Sequence, residues 1–438
     1  MPTALVINPW VTDFKLYDEW MHPLGLYVTM SLLRQNDWDV VYINCLERDD
    51  KTRAKRFGTG DFPSGPAAKP ALYESVPRRY KRYGISAEKL DQILWGIPFP
   101  DMVLVGTGMT YWFEGLRATV EAVYRRWHNA TIILGGISAT LMPDLLRKHL
   151  PRAHIIPGPI ASASAQLEHL PLKNKLFATE FPPPDLRDAM ALTPILRHAP
   201  ILTTLGCPLR CSYCASHLLQ PRFEARPHKR ILAEVGYAVH ERGVSDLAFY
   251  DDALLYQASD HFLPLLRALT RQTDGKVRLH APNGMHMRWL SGSIVEAMKT
   301  AGFATIRLGY ESGNPSHAKE TGYKAHPTGL RRAISKLFDA GFGGRQIGVY
   351  LMGGLPGQTP NDLIREIRFV ASLGVLPKPV FLSPVPGTPL FGGYAKRFPQ
   401  LRIDPLWHND TFFIMQLEGW SWQAIEEIRA CAREAKPE

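Results

Sequence analysis

The stretch TTLGCPLRCSYCASH, residues 203–217, holds three of the five cysteines in a chain of 438 residues. Cys207, Cys211 and Cys214 follow a short apolar run that is typical of a buried strand. Three thiols in one loop cannot all pair with one another, and the chain is too long and too poor in cysteine for a disulfide-dependent secreted domain. The grouping therefore favours a metal centre over a chance cluster of core cysteines.

Two kinds of metal centre are compatible with these cysteines. A structural zinc site takes four ligands, usually as two separated pairs, so His217 would have to be the fourth ligand at an unusual spacing. A cubane iron–sulfur cluster usually takes four cysteines. With only three, one iron stays open to a ligand from outside the protein, which indicates catalysis. We favour the cluster and keep zinc as the alternative.

Composition describes a chain with enough apolar residues for large cores. Hydrophobic residues make up 45% of the sequence, and no apolar run approaches the ~20 residues of a membrane-spanning helix. The beginning, MPTALVINPW, lacks the charged and long apolar segments of a signal peptide. We expect a soluble, cytoplasmic protein of two or three domains with no membrane partner.

The net charge of +10 is partly concentrated in two short segments, DDKTRAKRFG and VPRRYKRYG. The second interleaves Tyr80 and Tyr83 with basic residues, a pattern found on surfaces that bind nucleic acid. A solvated insertion loop is the plainer interpretation of such charge runs. Nucleic acid is therefore a partner that the sequence allows but does not favour.

The first half alternates short apolar runs with segments of helical length. The five runs are TALVINPW (3–10), DVVYINCL (39–46), DMVLVGTGM (101–109), ATIILGGIS (130–138) and AHIIPG (153–158). Runs rich in Val and Ile in this arrangement predict a parallel sheet with crossover helices, here at 24–35 and 114–127. We predict a Rossmann-like, doubly wound α/β domain over 1–160, with an insertion at 47–97 and a linker at 161–199.

Ligands of a doubly wound sheet bind beyond the carboxyl ends of its strands. The candidate ligand-binding residues at those ends are Asn8, Trp10, Gly108, Thr110, Gly135 and Gly136. The sequence lacks a G-x-G-x-x-G motif followed by a ribose-binding acid, so dinucleotide binding is not predicted.

The second half contains six further apolar runs separated by amphipathic helical segments. They are ILTTLGC (201–207), LAFYDD (247–252), VRLHAPNG (277–284), TIRLGYES (305–312), QIGVYLMGG (346–354) and KPVFLSP (378–384). This repetition predicts a partial (β/α)6 barrel over 200–390, followed by a C-terminal helical segment over 391–438. Active sites of such barrels lie at the carboxyl ends of the strands. Polar and glycine residues stand at those ends here: Asp251, Asp252, Asn283, Glu311, Ser312, Met352 and Gly353.

These motifs together resemble the radical S-adenosylmethionine superfamily. The C-x-x-x-C-x-x-C spacing is followed, in the expected order, by FYDD, HAPNG, LGYESG, MGGLPGQT and PVPGTPL. The resemblance covers 200–390 and implies that Cys207, Cys211 and Cys214 hold a [4Fe–4S] cluster. It implies further that S-adenosylmethionine chelates the fourth iron and is cleaved by an electron from the cluster, yielding a 5′-deoxyadenosyl radical.

The same resemblance implies roles for the other rim residues. Tyr213 would lie against the adenine, and Asp251 and Asp252 would bind the methionine ammonium group. Glu311, with Ser312 beside it, would reach the ribose hydroxyls. The segment that contains Met352 and Gly353 would line the adenine with backbone, and Asn283 would lie at the same rim. Taken singly, each of these residues could equally be an ordinary helix cap or turn residue.

The first half resembles the cobalamin-binding domain that precedes many enzymes of this superfamily. MHPLGLYVTMSLL, GTGMTYW and ILGGISATLMPD match the helix start and strand loops of that domain. One departure is the absence of D-x-H-x-x-G, whose histidine would coordinate cobalt from below. His22 and Trp10 stand near the relevant loop, although a capping histidine and a core tryptophan explain them equally well.

The resemblance implies a cobalamin-dependent radical S-adenosylmethionine methyltransferase that acts on an unactivated carbon. A radical cyclase, rearrangement or sulfur-insertion enzyme with a vestigial first domain is the alternative, and an RNA-modifying radical enzyme is the third interpretation. The expected partners are a small-molecule or peptide substrate and an electron donor such as flavodoxin or ferredoxin.

Overall fold

The computed structural model describes residues 1–160, 163–167, 170, 185–323, 326–435 and 437. The chain forms two compact units. The first is Met1–Arg197 together with Pro399–Trp407, and the second is His198–Phe398 together with His408–Glu438. Much of the predicted linker at 161–199 lies outside the described residues.

The first unit is built on a parallel sheet with the strand order β3-β1-β6-β7-β8. The strands of this unit are β1 (Thr3–Asn8), β2 (Val11–Asp13), β3 (Asp39–Asn44), β4 (Ser64–Pro66), β5 (Lys81–Tyr83), β6 (Met102–Thr107), β7 (Ile132–Gly136) and β8 (His154–Ile156). Its helices are α1 (Leu24–Gln35), α2 (Ala87–Trp95), α3 (Phe113–Arg126), α4 (Ile137–Leu141), α5 (Pro143–His149), α6 (Ala163–Leu167) and α7 (Arg187–Leu192). The five strands of this sheet coincide with the five apolar runs of the sequence.

Apolar residues of the sheet form the core of this unit. Leu5 and Ile7 of β1, Val103 and Val105 of β6 and Ile132 of β7 are fully buried, or almost so, because helices cover them. β1 lies between β3 and β6, so the strand order reverses between β1 and β6. A reversal of this kind opens a crevice at the carboxyl ends of the strands, which is where doubly wound sheets bind ligands.

The insertion predicted at 47–97 is partly folded and is more than a solvated loop. β2, β4 and β5 form an antiparallel sheet with the order β2-β5-β4, and Val11 pairs with Tyr83. Two of the basic side chains lie on aromatic rings: the Arg82 guanidinium is 5.2 Å from the Trp10 ring centre, and the Lys55 ammonium is 4.1 Å from that of Tyr17. Two of the positive charges of this basic region are therefore engaged in cation–π contacts within the fold.

The second unit contains a six-stranded parallel sheet with the order β16-β15-β14-β13-β12-β9. Its strands are β9 (Ala199–Ile201), β10 (Thr204–Leu205), β11 (Glu224–Ala225), β12 (Asp246–Phe249), β13 (Arg278–Met285), β14 (Phe303–Glu311), β15 (Ile347–Gly353) and β16 (Leu376–Phe381). Its helices are α8 (Ser216–Leu219), α9 (His228–Gly236), α10 (Phe262–Gln272), α11 (Gly292–Thr300), α12 (Pro327–Asp339), α13 (Pro360–Ser372), α14 (Pro389–Arg397), α15 (Asp410–Ile414) and α16 (Trp422–Glu434).

Successive strands of the six-stranded sheet are neighbours, and a helix precedes each strand from β12 to β16. This repeated unit gives the predicted partial (β/α)6 barrel and brings all six carboxyl ends to one rim. The short hairpin of β10 and β11 flanks the cysteine loop after β9. Among the helices that the structure describes, none combines the length and the apolar composition that a membrane span requires.

The C-terminal segment predicted at 391–438 divides between the two units. Residues 399–407 belong to the first unit, where the Tyr73 hydroxyl donates a hydrogen bond of 2.7 Å to the carbonyl of Leu406. Tyr73 is fully buried. α15 and α16 belong to the second unit.

Candidate active site

The cysteine loop begins at a residue that must be glycine. Gly206 has φ of +74°, and a Cβ at this position would lie 2.3 Å from the carbonyl oxygen of Arg222. Gly206 thus lets the backbone pass close to Arg222 where the chain enters the loop that carries Cys207, Cys211 and Cys214. None of the five cysteines takes part in a disulfide, and Cys211 is buried.

The three thiols of this loop lie close enough to influence one another. Burial, together with the nearby Asp252, Cys214 and Cys211, raises the pKa of Cys207 to about 11. The iron ions of a cluster would supply positive charge, which stabilises the deprotonated form of such closely spaced thiols. Among the described residues, no three His, Cys, Asp or Glu side chains converge on a single ion. In an iron–sulfur cluster each cysteine binds a different iron, so three cysteine ligands of a cluster need not meet at one ion.

Tyr213 and Glu311 meet beside the cysteines. The Tyr213 hydroxyl hydrogen-bonds the carboxylate of Glu311, and burial together with the charges of Glu311, Cys211 and Cys214 raises the pKa of this tyrosine. Glu311 is buried at the end of β14, where its φ of +65° is unusual for a residue other than glycine. Backbone strain of this kind costs about 1 to 3 kcal/mol and is concentrated at functional sites.

The two neighbouring aspartates after β12 have different surroundings. Asp251 is buried, and its carboxylate accepts hydrogen bonds from the backbone amides and the hydroxyls of both Thr203 and Thr204, at 2.6–3.2 Å. Asp252 is exposed and lies near Cys207. The structure thus assigns Asp251 to the support of the loop after β9 and leaves Asp252 as the aspartate that faces solvent beside the cysteines.

Asn283 and Ser312 hold the rim together. The Asn283 amide donates to the carbonyls of Tyr250 and Asp251, at 3.0 and 3.2 Å. Ser312 is buried, and its hydroxyl lies 3.0 Å from Nδ1 of His317. These partners show that both residues also fix loop geometry.

Met352 and Gly353 end β15 inside a packed region. The carbonyl of Met352 accepts a 3.0 Å hydrogen bond from the Gln358 amide. A Cβ on Gly353 would lie 2.9 Å from Leu363 and 3.0 Å from both Phe381 and Trp420. Packing against these side chains by itself requires glycine at this position, and the backbone contact to adenine stays a prediction.

In the first unit, the carboxyl end of β7 is open. Gly135 pairs with Gly106, and no atom of the described residues lies within 4 Å of a Cβ built on Gly135. Gly136 is exposed and has φ of +111°. Asn8, at the end of β1, donates a 2.8 Å hydrogen bond to the side chain of Asn44. The open glycine edge fits a flat ligand that approaches the backbone.

The other predicted residues of this rim are enclosed. Trp10 is buried and donates from its indole to the carbonyl of Ile85 at 2.8 Å, so it is a core residue. Thr110 is buried. A Cβ on Gly108 would lie 2.7 Å from the ring of Trp112, which covers this glycine. His22 is held by the hydroxyl of Tyr27, 3.1 Å from Nδ1.

A row of aromatic rings at the barrel rim was not predicted from the sequence. Phe223 contacts Tyr256, Tyr256 contacts Trp289, and Trp289 contacts His286, with ring centres 4.9, 5.2 and 4.8 Å apart. Phe223, Tyr256 and Trp289 are partly exposed. Phe223 lies beside β11, Tyr256 lies after β12 and Trp289 lies after β13. A sequence search for polar residues at strand ends does not find aromatic residues on these connections. Such a row can support a flat or apolar ligand.

Residues 201–370 match the radical SAM superfamily. In fold, the chain is similar to the radical S-adenosylmethionine methyltransferase TsrM from Kitasatospora setae, solved with cobalamin and a [4Fe–4S] cluster. The TM-score is 0.67 at 14% identity, covering 98% of this chain and 91% of that chain. It is also similar to the cobalamin-dependent S-adenosylmethionine radical enzyme OxsB, with a TM-score of 0.56 at 12% identity, covering 99% and 61%. At these identities the likeness shows the fold, and the predicted fold class is confirmed.

Two curated relatives match parts of the chain. An uncharacterized methyltransferase of Pyrococcus horikoshii is 24% identical over 201 residues, which are 44% of this chain and 40% of the relative. Bacteriochlorophyllide d C-12(1)-methyltransferase of Chlorobaculum tepidum is 25% identical over 290 residues, which are 59% of each chain. The matched regions thus span about half the length of these relatives.

Proposed function

We propose that this chain, whose residues 201–370 form a radical SAM domain, is a cobalamin-dependent methyltransferase that acts on an unactivated carbon. The observation that carries the proposal is the grouping of three cysteine thiols with Tyr213 and Glu311 at the rim of a partial barrel. The substrate is a small molecule or a peptide. The methyltransferase names of the relatives and the TsrM-like fold of the whole chain support this reaction class.

In the second unit, the chain's own residues would bind and orient two groups. Cys207, Cys211 and Cys214 would hold a [4Fe–4S] cluster, which supplies the electron for reductive cleavage of S-adenosylmethionine. Asp252 offers an exposed carboxylate to the cationic amino group of S-adenosylmethionine. Glu311, oriented by its hydrogen bond to Tyr213, offers a buried carboxylate to hydroxyl donors. Charge-assisted hydrogen bonds of this kind are strong where water is excluded.

In the first unit, the open edge at Gly135 and Gly136 is where we place cobalamin, which supplies a transferable methyl group. Glycine lets a flat ring approach the backbone because no side chain intervenes. Since D-x-H-x-x-G is absent and His22 is held by Tyr27, we propose that no histidine coordinates the cobalt.

The binding of S-adenosylmethionine tests the barrel residues. Asp252→Asn and Glu311→Gln keep side-chain size and remove one charge each. Loss of a charge-assisted contact costs about 1.5–3 kcal/mol, so each variant should bind S-adenosylmethionine roughly tenfold to a hundredfold more weakly. Calorimetric titration of the anaerobically reconstituted protein measures this affinity. Iron and sulfide content should stay at the wild-type value, and unchanged affinity in both variants would contradict these roles.

Corrinoid binding tests the first unit. The wild-type chain, reconstituted anaerobically with hydroxocobalamin, should retain cobalt after gel filtration. Electron paramagnetic resonance of its Co(II) state should lack the superhyperfine splitting that a nitrogen ligand causes. Splitting that disappears in His22→Ala would show that this histidine coordinates cobalt.

Cobalt content also separates this proposal from its alternative. A chain that assembles the cluster and cleaves S-adenosylmethionine, but retains no corrinoid, would be a radical cyclase, rearrangement or sulfur-insertion enzyme with a vestigial first domain. Copurifying RNA would instead favour an RNA-modifying enzyme.

A further inference from the structure

Gly322, on the connection after β14, lies against the sulfur of Cys211. A Cβ built on Gly322 would be 2.7 Å from Cys211 Sγ, a distance that real Cβ atoms essentially never show. The residue also has φ of +64°. Cys211 is the most buried of the three cysteines in the loop. The backbone at Gly322 therefore forms one wall of the space that the sulfur occupies.

Ser212, the next residue after Cys211, is bonded to two distant parts of the second unit. Its backbone amide and its hydroxyl both donate to the carbonyl of Glu320, at 3.0 and 3.2 Å. Its carbonyl accepts a 2.9 Å hydrogen bond from the amide of Leu390, in the first turn of α14. The middle of the cysteine loop is thus fixed by the connection after β14 and by the helix after β16.

We propose that Gly322 is a positioning residue for Cys211. Because glycine has no side chain, the backbone of 320–322 packs directly against the thiol, while the bonds to Ser212 hold the loop against that backbone. The sulfur is then confined to one position before any iron binds. This inference rests on the proposed function, since it takes Cys211 to be an iron ligand.

The effect of the contact with sulfur can be separated from the effect of the left-handed backbone conformation, because the second unit contains a matched glycine. Gly275 has φ of +63°, nearly the same as Gly322, yet no atom of the described residues lies within 4 Å of a Cβ built there. Alanine at either position carries the cost of a left-handed conformation. Only alanine at position 322 would also press on Cys211.

The experiment compares Gly322→Ala with Gly275→Ala and the wild type. In metal-free protein, iodoacetamide labels the cysteines, and peptide mass spectrometry follows each cysteine separately. Overpacking at Gly322 should displace the backbone from the sulfur, so Cys211 should react roughly tenfold faster than in the wild type. Cys207 and Cys214 should change less, and Gly275→Ala should match the wild type at all three cysteines.

A second measurement follows the cluster itself. After anaerobic reconstitution, Gly322→Ala should hold less iron and sulfide, or show an altered electron paramagnetic resonance spectrum after reduction, whereas Gly275→Ala should match the wild type. Equal Cys211 reactivity and equal cluster spectra in all three proteins would overturn the inference. A wild-type chain that takes up no iron would instead overturn the proposed function, and the labelling of metal-free protein would still decide the contact.

If Gly322→Ala does not fold, Ser212→Ala decides the question. This variant removes the hydroxyl donor to Glu320 and keeps the backbone amide, so the loop should loosen without a steric clash. Faster alkylation of Cys211 in Ser212→Ala would support the inference that the bonds of Ser212 hold the loop against the backbone of 320–322. A rate equal to that of the wild type would overturn it.

Discussion

Replacing Cys211 with alanine should abolish assembly of a complete cluster and, with it, cleavage of S-adenosylmethionine. Each cysteine of the loop would bind a different iron, so the loss of one thiolate leaves an iron without its protein ligand. The same result is expected for Cys207→Ala and Cys214→Ala. Iron and sulfide analysis, visible absorbance and the detection of 5′-deoxyadenosine after reduction measure the effect.

The two remaining cysteines are the controls for this result. Cys431 lies on α16 and Cys45 is buried in the core of the first unit. Cys431→Ala and Cys45→Ala should keep the iron content and the cleavage activity, although the second leaves a small cavity. Full cleavage activity in Cys211→Ala would contradict the assignment of the iron ligands.

Replacing Asp251 with alanine should lower the free energy of unfolding by about 3 to 5 kcal/mol, because buried donors lose their acceptor. Four hydrogen-bond donors of Thr203 and Thr204 point at this carboxylate, and two of them are backbone amides that cannot turn away. The loss would loosen the connection that leads into the cysteine loop. Denaturant unfolding of the metal-free protein measures the change.

Asp252→Ala is the matched control, since it makes the same change one residue away. Asp252 is exposed, so its replacement should alter the free energy of unfolding by less than about 0.5 kcal/mol. The pair would thereby separate a buried aspartate that stabilises the fold from an exposed one that does not. Equal stability of the two variants would show that the bonds around Asp251 contribute little.

The strands and their order along the chain were predictable because apolar runs mark them. The five runs of the first half and five of the six runs of the second half became strands of the two parallel sheets, whereas the run at 201–207 overlaps its sheet strand, β9, only at Ile201. The grouping of polar residues at strand ends was predictable for the same reason, since parallel strands bring their carboxyl ends to one edge. The sequence therefore predicted that Cys207, Asp252 and Glu311 stand at the carboxyl ends of strands in one sheet, and their role in binding stays a prediction.

The orientation of side chains at those ends was not predictable. Asp251 and Asp252 are chemically identical neighbours, and only the position of Thr203 and Thr204 decides that Asp251 points inward. The motif around Gly353 likewise does not reveal that this glycine packs against Trp420, a residue far away in sequence. The pairing of β2 with β5 likewise joins residues about seventy positions apart, for which no local pattern exists.

The return of residues 399–407 to the first unit limits how this unit can be exchanged between proteins by engineering. The chain passes between the units three times, at 197–198, 398–399 and 407–408. An exchange of modules at residue 197 would leave the buried Tyr73 hydroxyl without the Leu406 carbonyl that it contacts here. Gene fusion at a single junction therefore cannot transplant the first unit intact. A transferable version must bring along a nine-residue piece encoded near the opposite end of the gene.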